Sequence, residues 1–229
     1  MTNPDDPKEI ISSGYNALSY LYRKDEDATG HYKQWIDLLR SLLEPPAKIL
    51  DLGCGCGVPV ARDLAETGFS VTGVDISEVQ VARAKQLVTN ARFVHGDFTS
   101  SKVADELEAF APPGAKATFA AVVCLYAIIH VPVDEQRGVL HQISTWLEDG
   151  GYALVLTGIS PLEEEQRGWL GSDHSVRMQW SHAGVEEFRV WIRETGFEVL
   201  RDEHQPDPLG EGESEGHQFF LLQKRRALP

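Results

Sequence analysis

Cysteine is scarce in this chain, three in 229 residues, and Cys54, Cys56 and Cys124 include no C-x-x-C spacing. An odd count with one C-x-C pair makes a poor disulfide framework, so a reducing, cytoplasmic setting is expected. Cations are short as well. Against 35 Asp and Glu stand 21 Lys and Arg, for a formal charge of −14, and the one basic run, Lys224-Arg225-Arg226, is too brief to reverse the field. Such a surface repels polyanions, so nucleic acid is not an expected partner. Long hydrophobic runs are missing too. The longest, Phe119 to Val133, is interrupted by His130 and Pro132 and falls short of the roughly 20 residues that span a bilayer. The polar start, carrying Asp5 and Asp6, has no apolar segment behind a basic one and does not read as a signal peptide. No membrane partner is expected. Nor is a metal: no His, Asp, Glu or Cys cluster has ligand spacing, and Cys54 and Cys56 flank Gly55 with no neighbouring His or Cys.

Apolar residues make up 42% of the chain, enough to bury a sizeable core in one α/β domain. Ile11, Tyr15, Leu18 and Tyr22 recur at helical spacing, as do Tyr32, Trp35, Leu39 and Leu42, and Pro45-Pro46 closes the second stretch. This 1–46 segment reads as a helical cover. From Lys48 onward short β-rich runs (Lys48–Leu52, Ser70–Asp75, Arg92–His95, Thr118–Leu125, Tyr152–Thr157) alternate with helical stretches (Val60–Thr67, Glu78–Val88, Ser101–Phe110, Asp134–Leu147). That alternation predicts a doubly wound, mainly parallel sheet covered on both faces. Two further strands, Phe197–Arg201 and His217–Gln223, are joined by the acidic, Pro- and Gly-bearing stretch Asp202–Gly216, which predicts an antiparallel terminal hairpin and seven strands in all. Residues 158–184 show no clear period and read as a cap inserted over the sheet's carboxyl edge, where such sheets bind ligands.

The most informative run is Ile49-Leu50-Asp51-Leu52-Gly53-Cys54-Gly55-Cys56-Gly57, an apolar strand entering three alternate glycines, with Pro59 at a helix start. Glycines allow a tight turn and close approach of backbone to a ligand, and Pro tolerates a first-turn position. About 20 residues on, the strand Val71–Val74 ends at Asp75, where this architecture presents an acid to ribose hydroxyls. A third strand ends at Asp97-Phe98, an acceptor beside a ring, which suits an adenine.

These three runs, with Phe119–Tyr126 and the turn Leu147–Gly151, resemble the ordered motifs of class I S-adenosylmethionine-dependent methyltransferases. The resemblance covers Ile49 to Thr157 and implies a Rossmann-like seven-stranded fold with S-adenosyl-L-methionine as cofactor. It implies that Gly53, Gly55 and Gly57 pass the methionine moiety and ribose, that Asp75 holds the ribose, and that Asp97 and Phe98 meet adenine. Asp51 would fix the turn and reach the amino group, with Ile76 and Cys124 counted in the same site. Gly14-Tyr15-Asn16, Ile128–Pro132 and Trp180-Ser181-His182 are similar to a small-molecule branch of the family, which would lay Tyr15 over the sulfur. The acceptor is then expected to be a small molecule, methylated on N, O or S by in-line displacement.

Methyl transfer from a sulfonium asks the protein mainly to align and desolvate. A base is needed only for an acceptor protonated at working pH, and His130 is the first candidate, His182 the second. Tyr126, Trp180 and His174 are candidates to line the acceptor pocket. The fourth strand ends in Val123-Cys124-Leu125-Tyr126 without a carboxylate, which disfavours the metal-dependent catechol branch and the nucleobase- or protein-modifying branch. Two rivals remain: a non-catalytic cofactor binder of the same fold, and a nicotinamide oxidoreductase, which would want G-x-G-x-x-G where this chain has Val58 at the sixth position. The oligomeric state is not legible.

Overall fold

The computed structural model describes residues 3–27, 30–111, 116, 118–206 and 215–226. Helix α1 (Pro7–Tyr22) opens on Asp6, whose side chain accepts from Lys8 N, with Pro7 in the first turn; both are favourable start signals. Helix α2 (Lys33–Ser41) buries Trp35, Ile36 and Leu39. The alternating core follows: β1 (Lys48–Leu52), α3 (Val60–Glu66), β2 (Ser70–Asp75), α4 (Glu78–Leu87), β3 (Arg92–His95), α5 (Ser101–Glu108), β4 (Phe119–Cys124), α6 (Val133–Trp146) and β5 (Leu147–Gly158). Ser77 and Ser100 cap α4 and α5 by accepting the backbone N–H group three residues on.

Seven strands form one sheet in the order β3-β2-β1-β4-β5-β9-β8, where β8 is Phe197–Gln205 and β9 is His217–Lys224. The first five are parallel and β9 runs antiparallel to both its neighbours. Chain order reverses at β1, which pairs with β2 on one side and β4 on the other. Ligands bind at such a switch point, at the carboxyl ends of the strands. The strand β1 is buried at Ile49, Leu50, Asp51 and Leu52, as a strand with helices on both faces must be.

Four features depart from the sequence reading. The 158–184 segment is not irregular: it holds a hairpin of β6 (Leu162–Arg167) and β7 (Arg177–His182). Every residue of β6 is exposed, so it has no buried face to impose an alternating pattern. Helix α7 (Val185–Glu194), burying Phe188, Trp191 and Ile192, is an additional element. Strand β5 begins at Leu147, and a register irregularity absorbs the glycine turn the sequence suggests. Strand β8 runs on to Gln205 through residues assigned to the acidic connection, and 207–214 of that connection lie outside the described residues.

Helix α1 lies against β7 at unusually short range. A Cβ on Gly14 would stand 2.5 Å from the Arg177 carbonyl oxygen and from Met178 Sδ, closer than real Cβ contacts come. Gly14 thus lets the N-terminal cover and the hairpin meet. Among the described residues no helix is long and apolar enough to cross a membrane.

Candidate functional site

At the carboxyl end of β1 the chain turns through Gly53, Gly55 and Gly57 with φ of +70°, +55° and +76°, the left-handed region that suits glycine. Gly53 could carry no side chain in any case, since its Cβ would lie 2.2 Å from that of Ala127. Asp75, at the end of β2, holds the turn through one side-chain hydrogen bond and the start of the next segment through another. Asp75 Oδ2 accepts from Gly55 N and its Oδ1 from Ser77 N, both at 2.8 Å. Burial raises the Asp75 carboxyl to about 6 in spite of those two donors. Asp51, on β1 behind the turn, is buried, and its Oδ2 has no hydrogen-bond partner. Burial first, and the charge of Asp75 second, raise its pKa to about 7.

Two adjoining cavities hold most of the residues in question. The first, of about 110 Å³, is bounded by Asp51, Gly53, Gly55, Asp75, Ile76, Asp97 and Phe98 below and by Lys8, Ile11 and Tyr15 of α1 above. At one end Lys8 Nζ pairs with Asp97 at 3.1 Å and Glu135 at 2.6 Å, while Thr99 also donates to Asp97. The second cavity is larger, about 510 Å³, and reaches under the β6–β7 hairpin to Trp169, Trp180 and His182. Six residues, Tyr15, Tyr22, Arg23, Tyr32, Tyr126 and His130, line both, so the cavities adjoin along that rim. Tyr126 holds a φ of +55° there, a conformation that costs a non-glycine residue on the order of 1–3 kcal/mol and marks functional sites.

His130 sits on the rim in a defined tautomer. Its Nδ1 is 2.7 Å from the carbonyl oxygen of Gln179, which can only accept, so Nδ1 carries the proton. Nε2 is then the acceptor for the Tyr15 hydroxyl at 2.9 Å. Burial drives the His130 pKa down to about 4 and pushes that of Tyr15 well above its ordinary value, so imidazole and phenol are both neutral. The Trp180 ring lies 4.7 Å from His130 and 5.1 Å from Trp169. Gln136 ties the supporting elements together, donating to the carbonyls of Val131 and Ser181 at 2.8 and 2.6 Å.

Of the residues singled out in the sequence, Asp51, Gly53, Gly55, Asp75, Ile76, Asp97 and Phe98 bound the first cavity, Trp180 and His182 the second, and Tyr15, Tyr126 and His130 both. Three others are placed elsewhere. Cys124 is wholly buried at the end of β4, with its thiol pushed up to about 12, and lines neither cavity. Gly57 faces Phe93 and Val88 and turns the chain into α3. His174 lies exposed on the connection between β6 and β7 and lines neither cavity. The rim also recruits Tyr22, Arg23 and Tyr32, and the second cavity Trp169. Tyr22 could have been found from its position two helical turns beyond Tyr15, but Arg23 lies past the helix end and carries no periodic signal. Among the described residues no group of three or more His, Cys, Asp or Glu is placed to hold a metal ion.

Against known proteins, the family model that matches is described as a methyltransferase domain and spans residues 24–202. A 27-O-demethylrifamycin SV methyltransferase of Amycolatopsis mediterranei is 30% identical over 218 residues, covering 86% of this chain and 76% of that protein. A sterol 24-C-methyltransferase of Gibberella zeae is 34% identical over 176 residues, and the match covers 70% of this chain but 42% of the longer relative. Among solved structures, the magnesium protoporphyrin IX methyltransferase of Synechocystis PCC 6803 with bound S-adenosylmethionine superposes with a TM-score of 0.67 at 17% identity, covering 97% of this chain and 100% of that one.

Proposed function

Because this chain belongs to the class I S-adenosylmethionine-dependent methyltransferases, we propose that its first cavity takes S-adenosylmethionine and its second a small-molecule acceptor, which meet at the Tyr15–Tyr126–His130 rim. The observation that carries this reading is that the two cavities adjoin along six shared residues. An in-line displacement needs donor and acceptor in one connected, largely dry space.

The residues present fit the cofactor. The unpartnered Oδ2 of Asp51 is a buried acceptor waiting for a cation, and the amino group of a methionine moiety is one. Asp75 keeps lone pairs for ribose hydroxyls beyond those used by Gly55 and Ser77, and Phe98 offers a face at the end closed by Lys8 and Asp97. When bound, S-adenosylmethionine supplies a methyl group already activated on a positively charged sulfur.

What the chain does is hold and align. Tyr15 presents its phenolic oxygen at the rim while its proton is held by His130 Nε2, so His130 is a positioning residue acting through Tyr15 rather than a free base. Trp180 and His182 form the far wall, with His182 Nδ1 buried and unpartnered in the hairpin's shelter, and both are assigned to the acceptor. On this reading α1 and the 158–184 hairpin close the site from opposite sides within a single domain. The names of the relatives, which act on a rifamycin and on sterols, support a small-molecule acceptor, and the negative net charge supports the exclusion of nucleic acid. Three buried, unpaired cysteines support a reducing, cytoplasmic setting.

The test is incubation with methyl-labelled S-adenosylmethionine and fractionated small-molecule extract of the source cell. Label appearing in a low-molecular-weight product supports the assignment. Tight cofactor binding with no label transferred to any fraction would leave the chain a non-catalytic binder.

A further inference from the structure

Two groups of aromatic rings line the second cavity. In one, the rings of Tyr22 and Trp169 are 5.5 Å apart and those of Trp169 and Trp180 meet edge-on at 5.1 Å. In the other, Tyr126 stands edge-on to Tyr32 at 5.8 Å and to His217 at 4.9 Å. Arg23 touches both groups. Its guanidinium carbon lies 5.2 Å from the Tyr22 ring and 5.6 Å from the Tyr32 ring, and Nη2 donates to Tyr32 Oη at 3.1 Å. Its side chain is 17% exposed, and Nη1 forms an ion pair with Asp27 at 3.6 Å. A guanidinium has five N–H donors, so donors remain for a ligand. The backbone around Arg23 is itself clamped: Arg83 donates to the Arg23 carbonyl at 2.8 Å, and Arg62 to that of Asp25 at 2.9 Å. The acids that line this cavity, Glu164 and Glu215, are exposed residues, whereas the arginine sits on the rim shared with the donor cavity.

We propose that the acceptor is a planar aromatic acid, an acidic phenol or enol, lying among these aromatic rings with its ionised oxygen beside Arg23 and facing the donor cavity. This deepens the reading under Proposed function and rests on it. A flat ring suits a lining of aromatic faces and edges, and an oxyanion suits a partly buried guanidinium. The rest of the rim supplies no free base: His130 Nε2 is taken by the Tyr15 hydroxyl. With Arg23 favouring the ionised acceptor, its proton leaves to water before the transfer. In the transfer itself an oxygen lone pair forms the O–CH₃ bond, the S–CH₃ bond breaks, and its electron pair stays on sulfur, leaving a neutral ether and a neutral thioether. The charged or titratable groups facing Arg23 are Tyr15, Tyr22, Tyr32, Cys56 and Asp27. Asp27 would favour the neutral acceptor, and Arg23 must outweigh it.

The test uses 4-methylumbelliferone, a flat phenol whose spectrum reports ionisation, titrated into protein saturated with S-adenosylhomocysteine. Its apparent pKa should fall by about one pH unit or more on binding, a tenfold preference for the anion. The 7-methoxy and 7-amino analogues of the same ring, which cannot present an oxyanion, should bind at least roughly tenfold more weakly. Arg23→Gln should return the bound dye's pKa to its free value, and Arg23→Lys should retain part of the shift. An unshifted pKa, no binding of the dye, or equal binding of the methoxy or amino analogue, in wild-type protein that binds S-adenosylhomocysteine, overturns the acceptor class alone. Failure to bind S-adenosylhomocysteine overturns the parent reading and this one with it.

Discussion

Asp51 offers the sharpest perturbation, because a buried carboxylate without a partner is costly and its cost can be titrated. In the unfolded chain it ionises near 3.8, and in the folded, empty site near 7, a difference worth about 4 kcal/mol. The sign follows from the raised value. Folding favours the protonated form, so the Asp51 contribution is fully present below about pH 4, is lost as pH rises toward 7, and above that leaves the ionised group a net burden on the fold. Asp51→Asn removes the charge at nearly constant shape. Its amide still meets an incomplete set of partners, a residual cost of about 1–3 kcal/mol. The variant without ligand should therefore exceed wild type by about 1–3 kcal/mol at pH 8, with the advantage vanishing toward pH 4. Denaturant unfolding at a series of pH values measures it. Cofactor binding should move oppositely. An ammonium beside Oδ2 favours the ionised carboxylate, so wild-type affinity for S-adenosylhomocysteine should weaken by up to tenfold per pH unit below 7. Asp51→Asn should bind roughly 10- to 100-fold more weakly at pH 7.5. If wild-type affinity is flat from pH 5.5 to 7.5, or the variant gains no stability at pH 8, the assignment of Asp51 as a buried anion awaiting a cation is wrong.

Trp180→Ala and His182→Ala should impair kcat/KM for the acceptor while cofactor affinity stays within about threefold, under 1 kcal/mol; joint loss of thermal stability and cofactor binding with intact acceptor kinetics would make both residues structural. Gly158→Ala should reproduce the His182 defect without touching its chemistry, because the added Cβ would stand 2.2 Å from the imidazole and displace it; unchanged acceptor KM would refute that placement. Tyr15→Phe deletes the hydroxyl bonded to His130, which should cost about 0.5–1.5 kcal/mol of stability and lower kcat with little change in cofactor binding, as isothermal titration and steady-state rates will report; equal kcat would take the phenol oxygen out of the reaction. EDTA should leave turnover unaffected, since no described acidic or histidine group has metal-site geometry; activity lost on chelation and restored by magnesium would contradict this.

Sequence alone reached the glycine turn and the acids that line the first cavity because their signals are local. A strand entering Gly53, Gly55 and Gly57, and acids closing the next two strands at Asp75 and Asp97, are short-range consequences of a parallel sheet presenting its carboxyl edge. Each is written in a few consecutive residues, as is the alternation of strand and helix that fixes the sheet's class. Tertiary structure alone decided the rest, because it depends on which distant segments meet. Tyr15 and His130 are 115 positions apart, and only their hydrogen bond turns an expected base into a partner of the phenol. Arg23 becomes a rim residue through the clamps from Arg62 and Arg83, none of which has a spacing to read. That Cys124 lines neither cavity was not readable, because a strand covered on both faces gives no alternation to say which way a side chain points. The β6–β7 hairpin escaped notice for the opposite reason: with β6 exposed along its whole length, no buried face wrote its period into the sequence.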